Sequence, residues 1–429
     1  MAGVVAAAIA AEQVIMTGVE AAAAVAIAAP TAPLKVALTQ LDKPQGDDSN
    51  LARSNHTLTV IGDKAYLFGG IDASGNLYPP TVHAISLPQE KSQTDPLTSK
   101  STSQADYPPF PTKDISTGEL NVPSSRKNHA ACAHGNRYVL IHGGEDASGN
   151  PIDEGSVIWQ WDSETLAWTK LRGTTQLYKS MAPRSGHSIL VDDKQGFLVS
   201  VGGNSDATRR EVWFYDFNQA VWTTLPDLPK DKDLLDVAAY AGNTLYVLSK
   251  SPSDPNAVEL LSLYLHDNAT DREKPLPWET HSFTAPSPCP QPRVGGALVP
   301  INTGYGREYL VYMLGLPIDE SQAFQADIWT LQLPSRGITG AKVKDYVREK
   351  LPKMSSGELT WAEAELVAME QMESEGKVHP GPRGRFGVDG CLGGRGVVIW
   401  GGENAKGERE GDGWILRLAG GYEDYDRRE

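Results

Sequence analysis

The chain has 429 residues, a net charge of −15 and a pI near 5.1. That acidity excludes the basic footprint on which sequence-independent nucleic-acid binding depends. Length alone suggests two or three domains, an expectation that the internal repetition described below replaces with a single repeating unit.

Residues 2–29 are mostly Ala, Val and Ile. Ala is the strongest helix former, so an Ala-rich N-terminal helix is expected over residues 1–33, ended by Pro30 and Pro33. There is no basic segment ahead of the apolar run, and Glu12 and Glu20 interrupt it. Neither a secretory signal nor a bilayer span is therefore expected, and the chain reads as cytoplasmic with no membrane partner. Cys132, Cys289 and Cys391 have no paired spacing, which fits free thiols in a reducing compartment rather than a disulfide framework or a zinc site.

Beyond residue 50 a pattern recurs. Arg53-Ser54-Asn55-His56 precedes Tyr66-Leu67-Phe68-Gly69-Gly70, and Arg126-Lys127-Asn128-His129 precedes Tyr138-Val139-Leu140-Ile141-His142-Gly143-Gly144. Arg184-Ser185-Gly186-His187 precedes Phe197-Leu198-Val199-Ser200-Val201-Gly202-Gly203. Trp-bearing strands follow, around Trp159, Trp161 and Trp168 in one copy and around Trp213 and Trp222 in the next. Short runs rich in Val, Ile, Trp, Tyr and Phe between Gly, Asn and Asp read as strands. A unit of this size cannot bury its own apolar face and must stack on its copies.

These elements resemble the kelch repeat, across roughly residues 35–418. The resemblance implies an all-β, six-bladed kelch-type β-propeller. Its blades run over about 51–122, 123–180, 181–230, 231–288, 289–378 and 379–418, the last with 34–42, before a polar tail at 419–429. Three copies are degenerate. Blade four has Asp233-Leu234-Leu235-Asp236 in place of the Arg motif and Ser249-Lys250 in place of Gly-Gly; blade five keeps Arg293 and Gly315; blade six has Arg385 and Gly401-Gly402. Blade six also lacks a fourth strand after Leu418, and Leu34–Leu41 is expected to supply it and close the ring. The arrangement is similar to single-domain kelch proteins of filamentous fungi.

Two insertions stand out. Residues 88–124 are rich in Pro, Ser, Thr, Lys and Asp and are expected to be disordered, with an extended form open to Pro108-Pro109 and Pro111. Within 335–380, a short helix is expected over Ala341 to Leu351, then an outer strand at Trp361, aligned with Trp168 and Trp222, and a helical turn from Val367 to Ser374.

Arg53, Arg126, Arg184, Arg293 and Arg385 occupy matching places. Pointing inwards, they would form a ligand-binding cationic ring for a carboxylate or phosphate. Equally, each can pair with a carboxylate of its surroundings; Glu145, Glu403, Asp162 and Asp216 are the available partners, and a repeated residue tends to repeat a structural job. His56, His129 and His187 recur three residues after their arginines and are expected to hydrogen-bond structurally rather than converge on a metal. No catalytic constellation, metal site or cofactor motif is read from the sequence. Radical copper oxidases of this fold need a Tyr–Cys cross-link with a second Tyr and two His, a set without counterpart here. The expected function is a monomeric, non-catalytic platform presenting loops to a protein partner. The competing one is a small-molecule isomerase or cyclase using the axial pocket.

Overall fold

A computed structural model describes residues 33–42, 51–88, 104–108, 121–175, 180–265, 277–283, 287–303, 307–319, 324–335, 358–367 and 377–419. The N-terminal helix, the helices expected at 341–351 and 367–374 and the polar tail fall almost wholly outside these residues. Among the described residues, the helical content is one 3-10 turn, Leu392–Gly394, and the single 3-10 residue Leu51.

Six antiparallel sheets of four strands follow one another along the chain. Blade one comprises Thr57–Ile61, Lys64–Phe68, Val82–Ser86 and Gln104–Tyr107. Blade two comprises Ala130–His134, Tyr138–His142, Val157–Asp162 and Trp168–Arg172. In blade three the strands are Ser188–Asp192, Phe197–Val201, Val212–Asp216 and Val221–Thr224. Blade four has Asp233–Ala241, Thr244–Lys250, Val258–Tyr264 and Glu279–Ser282. Blade five has Ala297–Asn302, Glu308–Met313, Ile328–Gln332 and Trp361–Glu363, so Trp361 does open an outer strand. Blade six has Gly387–Cys391, Gly396–Trp400 and Gly413–Leu418, and takes its fourth strand, Lys35–Gln40, from the start of the chain. The innermost strand of each blade touches that of the next, and blade six touches blade one, which closes the ring.

The closing strand pairs antiparallel with Gly413–Leu418, Val36 opposite Leu418 and Gln40 opposite Trp414. It buries Val36 and Leu38 between blades five and six, beside Met313, Ile399 and Trp414, while Ala37 is buried on the opposite face. Two short straps tie neighbouring blades at their rims. Thr174–Thr175, beyond the outer strand of blade two, pairs parallel with the outer strand of blade three. Glu365–Leu366, beyond that of blade five, does the same with Lys35–Gln40. The strand Gln104–Tyr107 lies in a stretch where none is expected from sequence; its Tyr107 ring meets Trp161 of blade two at a centroid distance of 5.6 Å. Packing of this kind supplies most of the stability, since Trp161, Trp168, Trp213, Trp222, Trp400 and Trp414 are fully buried and each large side chain contributes about 1.5–3 kcal/mol.

Candidate functional site at the axial mouth

The repeat arginines do not face the axis as a free ring. Arg126, Arg184 and Arg293 are buried to within 1% of their surface, as are Arg53 and Arg383. Each donates to the carbonyl that ends its own second strand: Arg53 to Gly69 at 3.3 Å, Arg126 to Gly143 at 2.9 Å, Arg184 to Gly202 at 3.3 Å, Arg293 to Leu314 at 3.3 Å and Arg383 to Gly401 at 3.1 Å. Four then meet a carboxylate: Arg126 with Glu154 and Arg184 with Glu211, both at 2.7 Å, and Arg293 with Asp327 and Arg383 with Asp412, both at 2.5 Å. The same carboxylate accepts the indole N–H of a buried or half-buried Trp: Trp159, Trp213, Trp329 and Trp414 respectively.

Each knot of arginine, carboxylate and indole therefore satisfies charges that burial would otherwise make costly. Burial pushes the Glu154, Asp327 and Asp412 carboxyls up, but bonds from the arginine and the indole outweigh it and leave all three below the usual range. Blade one solves the problem differently. Tyr78 precedes His83 by the spacing at which Glu154 precedes Trp159, and the Arg53 guanidinium stacks on the Tyr78 ring at 3.7 Å. Burial lowers the Arg53 pKa to about 10.

Two sequence expectations need correction. The repeat position in blade six is Arg383; Arg385 is exposed, has a positive φ of 56°, and pairs with Glu403 at 3.0 Å. The buried partners are also not those expected. Asp162 binds Arg137, Glu145 accepts from Asn128, and Asp216 accepts the amides of a turn, because these carboxylates lie beyond reach of the arginine pockets. The missed signal was an acidic residue two positions before a Trp, in Glu211-Val212-Trp213, Asp327-Ile328-Trp329 and Asp412-Gly413-Trp414.

The histidines and glycine pairs form the seam between blades. The His129 ring packs under Gly69 of blade one, where an added Cβ would lie 2.8 Å from it and 2.5 Å from the Arg126 carbonyl. His187 does the same under Gly143. Gly70 and Gly144 donate their amides to the carbonyls of Arg126 and Arg184, the arginines of the following blades. Both members of each pair also have positive φ, so close approach and backbone conformation alike require glycine. In blade five Leu314 takes the first place at φ 51°. His129 Nε2 lies 2.8 Å from Thr57 Oγ1 and His187 Nε2 lies 2.9 Å from His142 Nδ1. Burial, foremost, drives His129 to a pKa of about 3 and His142 to about 4, so these rings are neutral at physiological pH.

Inside this frame runs an axial channel. Its mouth is a cavity of about 630 Å³ where the innermost strands begin, and a further cavity of about 470 Å³ lies along those strands. The two share Ser188, Asp236, Val237 and Ala238. Between them stands a collar of one residue per blade: Asn55, Asn128, Gly186, Asp236, Gly295 and Arg385. The amide of Asn128 donates to Asn55 O at 3.0 Å, Gly186 to Asn128 O at 2.8 Å, Asn55 to Arg385 O at 2.8 Å and Arg385 to Gly295 O at 2.7 Å. Gly295 donates instead to a side chain, Asp236 Oδ2, at 2.8 Å.

Charged side chains surround the mouth. Lys250 pairs with Asp233 at 2.7 Å, Lys127 approaches Glu145 at 4.0 Å, and Glu403 sits between Arg385 at 3.0 Å and Arg409 at 3.9 Å. Arg209 has no side-chain partner among the described residues. Of the five predicted arginines, then, Arg385 alone lines this cavity, and it does so as a surface residue. Deeper in, burial raises the Asp389 carboxyl to about 6, against the amides of Val60 at 2.7 Å and Gly390 at 2.7 Å. Burial also pushes the Cys132 thiol well up. No group of three or more His, Cys, Asp or Glu among the described residues is arranged to hold a metal, and no helix among them is long and apolar enough to cross a membrane.

Fold and channel together define a six-bladed β-propeller. No family model matches the chain. Among curated proteins it is similar to acyl-CoA-binding domain-containing protein 5 of Arabidopsis thaliana, 24% identical over 203 residues, which are 46% of this chain and 27% of that protein. It is also similar to acyl-CoA-binding domain-containing protein 4 of the same plant, 25% identical over 162 residues, 38% of this chain and 20% of that protein. The chain thus spans about a quarter or less of the length of these relatives. Among solved structures, YjhT superposes with a TM-score of 0.51 and 12% identity, over 87% of this chain and 95% of that one. At that identity the likeness concerns the fold.

Proposed function

We propose that the chain is a kelch-type interaction platform, non-catalytic and monomeric, that presents the mouth face of its propeller to a protein partner in the cytoplasm. One observation carries the reading: the turns around the mouth are exposed yet stiff. Asp72 Oδ1 accepts the amides of Ser74 at 2.8 Å and Asn76 at 2.9 Å, and Asp146 repeats this with Ser148 and Asn150 at the same distances. Asn404 Oδ1 likewise accepts from Lys406 at 2.9 Å and Glu408 at 3.1 Å. Residues Ala73–Asn76, Ala147–Asn150 and Ala405–Glu408 are nevertheless open to solvent. Loops ordered before binding lose little conformational freedom on association, which is what a recognition surface needs. The repeat arginines support the same reading, because their hydrogen bonds hold the frame and leave recognition to the loops.

Affinity capture from cell extract tests it. The tagged wild-type chain is expected to retain a partner that an Asp72→Ala/Asp146→Ala variant of unchanged melting temperature loses. A partner kept equally by both, or none kept across several extraction conditions, overturns the reading.

A second reading, a small-molecule isomerase or cyclase at the axis, is favoured by the mouth cavity, whose volume lies within the ~300–1,000 Å³ usual for ligand sites. Under it, Arg385→Ala abolishes binding of the small molecule without affecting the melting temperature. Under the platform reading, Arg385→Ala changes only the partner's affinity.

A further inference from the structure

The collar at the channel throat is broken once. Around the ring each amide meets the carbonyl of the preceding blade, except between blades three and four. There the Gly186 carbonyl receives no hydrogen bond among the described residues, and Asp236 stands where the next amide would be expected. A register shift between Leu234 and Ala238 in the innermost strand of blade four coincides with this break. One Asp236 oxygen, Oδ2, is fixed by the Gly295 amide at 2.8 Å, and the residue's own amide also bonds the carboxylate. Asp236 is exposed and lines both cavities.

We propose that this break is a subsite for a primary ammonium or guanidinium group, seated between the Gly186 carbonyl and Asp236 Oδ1. Two acceptors at successive places in the collar, one of them anionic, repel a carboxylate or phosphate and suit a group that combines positive charge with several N–H donors. Water supplies donors but no charge. Asp236 is exposed to the channel, so its carboxylate meets an entering cation directly and adds charge attraction to the hydrogen bonds. Arg385 is the charge that acts on Asp236 from the neighbouring elements, and its guanidinium is engaged by Glu403 at 3.0 Å. Among the other cations of the mouth, Lys250, Lys127 and Arg409 have acidic neighbours, and Arg209 has none among the described residues.

The subsite deepens the platform reading by giving the mouth a ligand class, such as a lysine or arginine side chain inserted by a partner. The two fail separately, because partner capture makes no reference to Asp236.

Butylammonium chloride is the probe, titrated at constant ionic strength near neutral pH and followed through the Gly295 amide resonance. The expected result is a saturable shift in the millimolar range, absent with tetramethylammonium chloride, which carries the charge without N–H donors. Asp236→Asn keeps an acceptor for Gly295 and should weaken binding at least tenfold. In the wild type, the Asp236 carboxyl should titrate at lower pH when butylammonium is present. An N-acetyl-lysine methylamide that binds as well as butylammonium points to a partner's side chain as the source; binding of the free amine alone points to a small molecule. No saturable shift, an equal response to tetramethylammonium, or an unchanged affinity in Asp236→Asn overturns the proposal.

Discussion

Blades three and four are neighbours in one ring, yet they hold their ends together differently. Blade three ties Arg184, Glu211 and Trp213 into one buried knot, under a glycine pair at Gly202 and Gly203. Blade four has neither arginine nor glycine pair, and uses Lys232 with Glu259 at 2.6 Å, joined by Ser282 at 2.6 Å. The regular blade has its polar repeat residues wholly engaged in structure. The irregular one puts a carboxylate, Asp236, into the channel. Repeat residues in this ring thus build the frame, and departures from the repeat are where chemistry reaches the axis.

The largest expected effect comes from the place where the ring closes. Val36 is fully buried in the closing strand, and Val36→Asp places an unpaired carboxylate between blades five and six. A loss of about 4 kcal/mol or more, with a broadened urea transition, is expected. An unchanged transition would show that closure contributes little.

Glycine substitutions sharpen the contrast between seam and loop. At Gly143, with φ 62°, an added Cβ would stand 2.4 Å from the Arg184 carbonyl. Gly143→Ala should cost about 3 kcal/mol, from left-handed strain and forced displacement together. Gly149, with φ 81° in an exposed turn, has open space around it, and Gly149→Ala should cost about 1 kcal/mol. Equal melting temperatures for the two variants would break the distinction.

Lys232→Met probes the substitute pair in blade four. Lys232 is partly accessible, so a cost of about 2 kcal/mol is expected in chemical denaturation, below that for a fully enclosed arginine.

Acid should act through the seam. His129, His142 and His83 have folded pKa values of about 3, 4 and 4, depressed chiefly by burial, against about 6.5 in an unfolded chain. Between those limits the unfolded state binds more protons, so stability is fully present above pH 6.5 and falls as pH drops towards 4. Asp389, raised to about 6, and Asp236, also raised, act with the opposite sign, their contribution fading as pH rises from about 4, and these two do not offset the histidines, which include His56 and His187, also lowered. Melting temperature measured from pH 7.5 to 5 should decline throughout, and His129→Gln should flatten the slope by up to about 1.4 kcal/mol per pH unit. A melting temperature that is flat or rises on acidification would contradict this.

Much of this architecture was legible in the sequence, because apolar alternation and the Gly-Gly and Trp landmarks are local signals. The six blades, the closing strand around Val36 to Gln40 and the outer strand at Trp361 all follow from them. The strand Gln104–Tyr107 was not legible, since its short polar sequence carries no Trp and its place depends on Trp161 of the next blade. In blade six Arg383 and Arg385 both flank Gly384, so the motif alone does not choose between them; counting three residues back from Phe386, which takes the histidine place, gives Arg383. Nor could the axial site be read. Which carboxylate meets which arginine, and that Asp236 interrupts a collar of amides, depends on side chains brought together across blades.

The central claim is that the repeat arginines hold the frame rather than a ligand, and a double-mutant cycle on Arg184 and Glu211 tests it most directly. Arg184→Met or Glu211→Met alone should cost about 3–5 kcal/mol in urea unfolding, because each strands a buried partner, and the double variant should cost clearly less than the sum. Single variants that stay within about 0.5 kcal/mol of wild type, or costs that simply add, would contradict it.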